Sequence, residues 1–178
     1  MSTPQSPKKL ATRGRILESA WTLFLAKGYA ATSTRDIATH ANIGNGTLFS
    51  HFENKEQLLR ELMLEQLTDV IAQAKRTDEF AQPKLKMRHY AQHLYDFYLQ
   101  HVEFSKTLLQ GLIWQADFFS AQMEELKTSL FSGCERYDEV RAAAMIDCYF
   151  MTLLEGLNSD GVKTSQLVSR LSSKLALL

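Results

Sequence analysis

The residues from Ser33 to Phe52, STRDIATHANIGNGTLFSHF, constrain this chain more than any other stretch. Ser33 is an N-cap, and Asp36 three residues on completes a capping box, which predicts a helix over 34–41. Ile37, Ala38 and Ala41 give that helix an apolar side. Asn42-Ile43-Gly44 supplies a turn, because Asn and Gly tolerate the left-handed backbone of a sharp reversal. A second helix over about 45–52 then turns Leu48 and Phe52, spaced i, i+4, toward a core. Its other face carries Asn45, Thr47, Ser50 and His51, which are hydrogen-bonding groups with no carboxylate among them. The pattern is a helix-turn-helix whose second helix is suited to a DNA major groove.

The flanks extend the motif. Apolar positions 16/17, 20/21 and 23/24 predict a helix over about 10–27, and Gly28 is a left-handed stop for it. Gly14 inside that helix costs about 1 kcal/mol relative to Ala. Asn54 with Gln57 is a second capping signature and starts a long helix at about 55. Residues 1–9, MSTPQSPKK, read as a mobile arm whose Lys8 and Lys9 are either solvated or aimed at phosphates. The whole chain has zero formal net charge, yet residues 1–52 hold six basic side chains against Glu18 and Asp36. A basic head on an acidic body is the asymmetry expected where one end meets phosphates.

This ordering closely resembles the TetR family of bacterial transcriptional repressors. The matching residues are Arg13, Ile16-Leu17, Ala20, Leu23-Phe24, Lys27-Gly28-Tyr29, Thr34 to Ala38, Ala41, Gly46-Thr47-Leu48, His51-Phe52 and Lys55-Glu56, so the resemblance covers roughly residues 10–60. It implies a three-helix DNA-binding head, a helical body that dimerises, and a small-molecule pocket in that body. It also implies that Ser33, Thr34, Arg35, Thr47, Phe49, His51 and Lys55 hold phosphates, since helix starts and hydroxyls suit phosphate oxygens. Asn45, Gly46, Thr47 and Ser50 then face base edges, with Asn suited to adenine and a Thr methyl to thymine. Three positions depart from the family pattern: Gly44 replaces a common serine cap, Asn45 a residue often basic, and Phe49 a tyrosine. Fewer charge-assisted contacts predict lower affinity and a shallower salt dependence.

Beyond residue 60 the chain shows helical periodicity and no strand alternation. After a break from Thr77 to Pro83, helices are predicted over about 84–101, 104–114, from Asp117 to Gly133, over 138–157 and over 164–178. Helix 138–157 carries Val140, Ala143, Phe150, Leu154 and Leu157 on one stripe and Ala142, Ile146, Tyr149, Leu153 and Gly156 on another. A helix apolar on two sides needs cover on two sides, here a second subunit. The last helix aligns Leu167, Leu171, Leu175 and Leu178. These two helices predict a homodimer contact through Val140, Phe150, Leu154, Leu167, Leu171 and Leu175, a four-helix bundle with two helices from each chain. Within AAAMIDCYFM, Asp147 is expected near-buried and paired across that contact.

For the implied pocket the family shares no sequence motif, so its lining is drawn from the body's aromatic and Met content: Met87, Tyr90, Phe97, Trp114, Phe119, Met123 and Tyr149, suited to an apolar or aromatic effector. His89 and His93 lie i, i+4, a spacing that suits two metal ligands, but no third ligand or HExxH context accompanies them and solvated or bonded histidines are the better reading. No Gly-rich phosphate loop, serine elbow or carboxylate pair offers catalysis, and neither a cofactor nor a metal is expected. Cys134 and Cys148 read as reduced thiols. No run is long enough to span a membrane and no signal peptide is visible, so a cytoplasmic protein is expected.

The expectation is therefore an all-α chain, with a helix-turn-helix DNA-binding head over residues 1–54 and an effector-binding and dimerisation body over 55–178. Its partners are a double-stranded operator, a small-molecule effector and a second copy. Two rivals stay open. One is a DNA-bound interaction factor with no effector; the other is a helical ligand carrier or enzyme that does not bind DNA.

Overall fold

The computed structural model describes residues 6–112 and 120–178, and every regular element among them is an α-helix. In chain order these are α1 (Pro7–Lys27), α2 (Thr34–His40), α3 (Asn45–Phe49), α4 (Lys55–Arg76), α5 (Pro83–Gln100), α6 (Val102–Leu112), α7 (Ser120–Leu130), α8 (Glu139–Leu157) and α9 (Thr164–Leu175). They form two compact units, Met1–Leu64 and Glu65–Leu178. The first takes in the opening ten residues of α4, whereas the sequence reading starts the body at residue 55. The opening turns of α4 belong with the head because they bond to it: Glu61 pairs with Arg13, and Lys55 reaches the link between α1 and α2.

In the first unit α1 packs on α2 and α2 on α3. Ile16, Leu17, Ala20, Leu23 and Phe24 meet Ile37, Ala38, Ala41, Leu48, Phe52, Leu58, Leu59, Leu62 and Met63 in one apolar core. α1 begins at Pro7, capped by Ser6, so Lys8 and Lys9 sit on its first turn and not in a loose arm. Proline is favoured at a first helical position, where its missing N–H costs nothing. α3 is five residues long, shorter than expected, yet the turn after it still buries Phe52 beside Leu48.

The second unit is built around α5, which buries Met87, Tyr90, Ala91, Leu94, Tyr95, Phe97 and Tyr98 and packs on α6, α7, α8 and α9. Tyr95 stacks on Tyr149 at 5.1 Å and donates its hydroxyl proton to the Tyr149 carbonyl at 2.9 Å. α9 packs on both α5 and α8, and Gly156 lets Leu167 approach the α8 backbone.

That packing corrects part of the interface reading. Leu167, Leu171 and Leu175 are at most 1% exposed in the single chain. One apolar stripe on α9 is consumed by α5 and α8, so these leucines are core and not a surface for a partner. The exposed apolar side chains lie instead on the outward face of α8: Val140 is 81%, Met151 55% and Leu154 39% exposed, with Phe150 half-buried beside them. Asp147 lies on that face and is exposed, not near-buried, because helical phase places it with Val140 and Met151.

Candidate nucleic-acid interface

Ser33 and Asp36 fix how α2 leaves its preceding loop. The Ser33 Oγ accepts from the Asp36 N–H at 3.1 Å, while Asp36 Oδ2 accepts from the Ser33 N–H at 2.9 Å and the Ser33 hydroxyl at 2.7 Å. These bonds, the hydroxyl first and the amide second, hold the Asp36 carboxyl below its usual pKa. Both faculties of the Ser33 hydroxyl are thereby used within the chain. Asn42 supplies the turn with φ 53°, whereas Gly44 at φ −72° needs no glycine geometry and caps α3 without a side-chain bond.

The resulting outer surface carries Thr34, Arg35, Asn45, Gly46, Thr47, Phe49 and Ser50, all exposed or half-exposed. Among the described residues, the side chains of Arg35, Asn45 and Thr47 have no hydrogen-bond or ion-pair partner, so their capacity is unspent. The Ser50 hydroxyl donates to the Thr47 carbonyl at 2.7 Å, which leaves it acceptor capacity only. Phe49 is 46% exposed, an apolar ring presented outward.

Lys55 behaves otherwise. Its ammonium donates to the Tyr29 carbonyl at 2.8 Å and the Thr32 carbonyl at 3.0 Å, and sits 4.3 Å from the centre of the Tyr29 ring. It fastens the α1–α2 link to α4 and is no free phosphate contact. His51 is half-buried, and burial first, then the charges of Lys9 and Arg13, depress its pKa. At neutral pH it is an uncharged imidazole next to two cations. Lys9, the neighbour that α1's early start fixes in place, is the contributor that sequence reading left in a floppy arm. Arg13 is held over the Phe52 ring at 4.3 Å and by Glu61.

Residues 16–62, which run from α1 into α4 across this surface, match the family model for bacterial regulatory proteins of the tetR family. Over that stretch the chain is similar to the TetR family. The chain is 44% identical over 52 residues to the uncharacterized HTH-type transcriptional regulator YvkB of Bacillus subtilis, a match covering 29% of this chain and 28% of that protein. The HTH-type transcriptional regulator TtgR of Pseudomonas putida is 27% identical over 173 residues, covering 93% of this chain and 72% of that one. The match to the HTH-type transcriptional repressor KstR2 of Mycolicibacterium smegmatis, 41% identical over 61 residues, spans 30% of that protein. In fold, the chain is similar to the Thermus thermophilus repressor FadR solved with lauroyl-CoA, with a TM-score of 0.74, 22% identity, and 93% and 92% of the two chains covered.

In the second unit, Met123 and Tyr149 meet in one cleft with Leu67, Ile71, Leu94, Tyr98, Gln122 and Phe150. Its volume is about 10 Å³, space for roughly one water. The Tyr98 and Tyr149 hydroxyls bond to each other, and burial pushes both phenols well above their ordinary pKa. Met87, Tyr90 and Phe97 are buried elsewhere along α5 and do not line this cleft, because a helix covered on all sides turns each face to a different neighbour. Trp114 and Phe119 lie outside the described residues. A wider, open hollow of about 680 Å³ adjoins the α7–α8 link, with Arg136, Asp138, Glu139 and Arg141 in its lining. Sequence periodicity gives no sign of it.

His89 and His93 hold no metal-like arrangement. Their rings meet edge to face at 4.9 Å, and His89 Nε2 lies 2.9 Å from the Ala74 carbonyl oxygen and 3.1 Å from the Thr77 hydroxyl. Among the described residues no three His, Cys, Asp or Glu side chains cluster, and no helix is long and apolar enough to cross a membrane. Both cysteines are free thiols and half-buried.

Proposed function

We propose that this chain is a transcriptional repressor that binds a palindromic operator as a homodimer in the cytoplasm and is released by a small, largely apolar effector. The observation that carries the reading is the surface of α2 and α3. It presents Arg35, Asn45 and Thr47 with unspent hydrogen-bonding capacity, and its one carboxylate, Asp36, is folded back into a cap. Such a surface approaches a polyanion without repulsion, with Arg35 and Thr34 on phosphates and Asn45, Gly46 and Thr47 at base edges. Residues 1–64 serve as this head, and residues 65–178 as the effector and dimer body.

The outward α8 face, with Val140, Phe150, Met151 and Leu154, is the proposed two-fold contact, since an apolar patch of that kind is rarely left in water. Two heads joined in this way reach successive major grooves about 34 Å apart. The effector is placed in the cleft of Leu67, Ile71, Met123 and Tyr149, by analogy with the lauroyl-CoA complex of FadR. A ligand there moves the operator equilibrium only by its differential affinity for the two body states.

The water-sized cleft also favours a second reading, a DNA-bound factor whose body takes no effector. Footprinting on the DNA upstream of the chain's own gene, with and without a panel of apolar small molecules, separates them. Protection that a ligand lifts supports release by an effector; protection that none lifts supports the second reading. Absence of any protection at low salt would sink both.

A further inference from the structure

Two of the helices that line the body cleft end at the same place. α4 contributes Leu67 and Ile71 to the cleft, and α7 contributes Gln122 and Met123. The C-terminal ends of both are held by a single turn of α5. His89 stands against the end of α4, its Nε2 2.9 Å from the Ala74 carbonyl oxygen and 3.1 Å from the Thr77 hydroxyl. One turn earlier, the Lys86 ammonium donates to the Ser132 hydroxyl at 2.6 Å and the Ser132 carbonyl at 3.0 Å, and lies 3.5 Å from the Ser129 carbonyl. A cation at the exposed carbonyls of a helix end satisfies them and complements the helix dipole.

The same ammonium lies 3.5 Å from the Asp78 carboxylate, two residues beyond α4, and both side chains are only 8% exposed. A buried ammonium is tolerated where an anion compensates it, and removing that anion leaves a charge that neither water nor protein offsets. Asp78 bonds to Lys86 and to the Phe80 N–H at 3.1 Å, and makes no hydrogen bond to α7. We propose that Lys86 is a positioning residue that couples the end of α7 to the end of α4, so that neither helix shifts without disturbing a buried charge pair shared by both. Opening the cleft by separating α7 from α4 then loosens the last turn of α4. The coupling itself does not depend on an effector; only its use in operator release rests on the proposed function.

Hydrogen exchange on the full chain, without ligand, tests this. Asp78→Asn is expected to raise exchange at the amides of 126–131 at the end of α7 at least tenfold, although Asp78 does not touch that helix, while α9 keeps wild-type protection. Ser132→Ala, a change at an exposed residue that the fold tolerates, is read at the other end: the Phe80 amide should exchange several-fold faster. In the double variant Asp78→Asn with Lys86→Met the uncompensated charge is gone, so α7 should be no less protected than in Asp78→Asn alone. Effects of Asp78→Asn confined to 77–82, an unchanged Phe80 amide in Ser132→Ala, or simple additivity in the double variant would overturn the proposal.

Discussion

Arg35 and Asn45 sit on one surface and are expected to fail in different ways when replaced. Arg35 offers a charge without sequence information, so Arg35→Gln should weaken operator binding evenly across DNA sequences and reduce the slope of log affinity against log salt by about 0.9. Asn45 offers a hydrogen-bonding pair without charge, so Asn45→Ala should leave the salt slope alone and relax base preference at one position, costing about 1–3 kcal/mol there. Fluorescence anisotropy over a salt series with operator variants reads both. Equal salt slopes in wild type and Arg35→Gln would remove Arg35 from the phosphate contacts. His51 adds a pH dependence whose sign follows from its environment. Burial, Lys9 and Arg13 hold its pKa below the histidine norm. Its contribution to stability is therefore complete above the unfolded value near ~6.5 and declines as pH falls through the lower folded value. A phosphate brought to that side chain favours the charged form, so binding takes up a proton and operator affinity should rise between pH 7.5 and 5.5. His51→Gln should flatten that rise; a variant with the wild-type pH profile would place the proton uptake elsewhere.

Helix ends show where sequence is enough and where it is not. The boxes at Ser33/Asp36 and Asn54/Gln57 place the starts of α2 and α4 to within a residue, because capping is a local reaction between side chain and nearby amides. Gly28 and Gly133, at φ 87° and 86°, mark ends for the same reason. What covers a helix is not local. The α9 leucines have one periodicity whether they face α5 or a second chain, and Lys55 shows no sign in sequence of the Tyr29 and Thr32 carbonyls it will meet. The exposed face of the helix-turn-helix was legible because its neighbours are within one motif; the cleft was not, since its lining comes from α4, α5, α7 and α8. Gly156 is a case that only packing reveals. A Cβ there would lie 2.5 Å from Leu167 Cδ1 and 3.2 Å from its Cγ, and Leu167 is fully buried with nowhere to turn. Gly156→Ala gains about 1 kcal/mol in helix propensity and loses about 1–3 kcal/mol to overpacking, so a net loss is expected. Gly14→Ala, with nothing within 4 Å of its new Cβ, should instead stabilise by up to about 1 kcal/mol. Chemical unfolding of both variants tests the contrast, and a Gly156→Ala protein more stable than wild type would show that α9 yields freely.

For the whole molecule, the proposed homodimer raises the question whether α8 or α9 would carry the second copy. Met151, 55% exposed, lies on the outward α8 face, whereas Leu171 is fully buried against α5 and α8. A carboxylate at Met151 costs the folded single chain little, because the site is wet, but two of them brought together on a two-fold axis must be desolvated without a partner. Met151→Glu is therefore expected to sediment as a monomer at micromolar concentration with its thermal unfolding changed only by the loss of association. Leu171→Ala leaves a cavity instead, expected to cost about 2–5 kcal/mol in stability, and should sediment as wild type for as long as it is folded. The consequence for DNA follows from linkage. Two tethered heads gain on the second half-site through effective concentration, an advantage of order 10²–10⁴ that a monomer forfeits without any change to Arg35, Asn45 or Thr47. Met151→Glu should therefore lose operator affinity by that order while keeping wild-type binding to a single half-site. A Met151→Glu protein that still sediments as a dimer would move the contact off the outward face of α8.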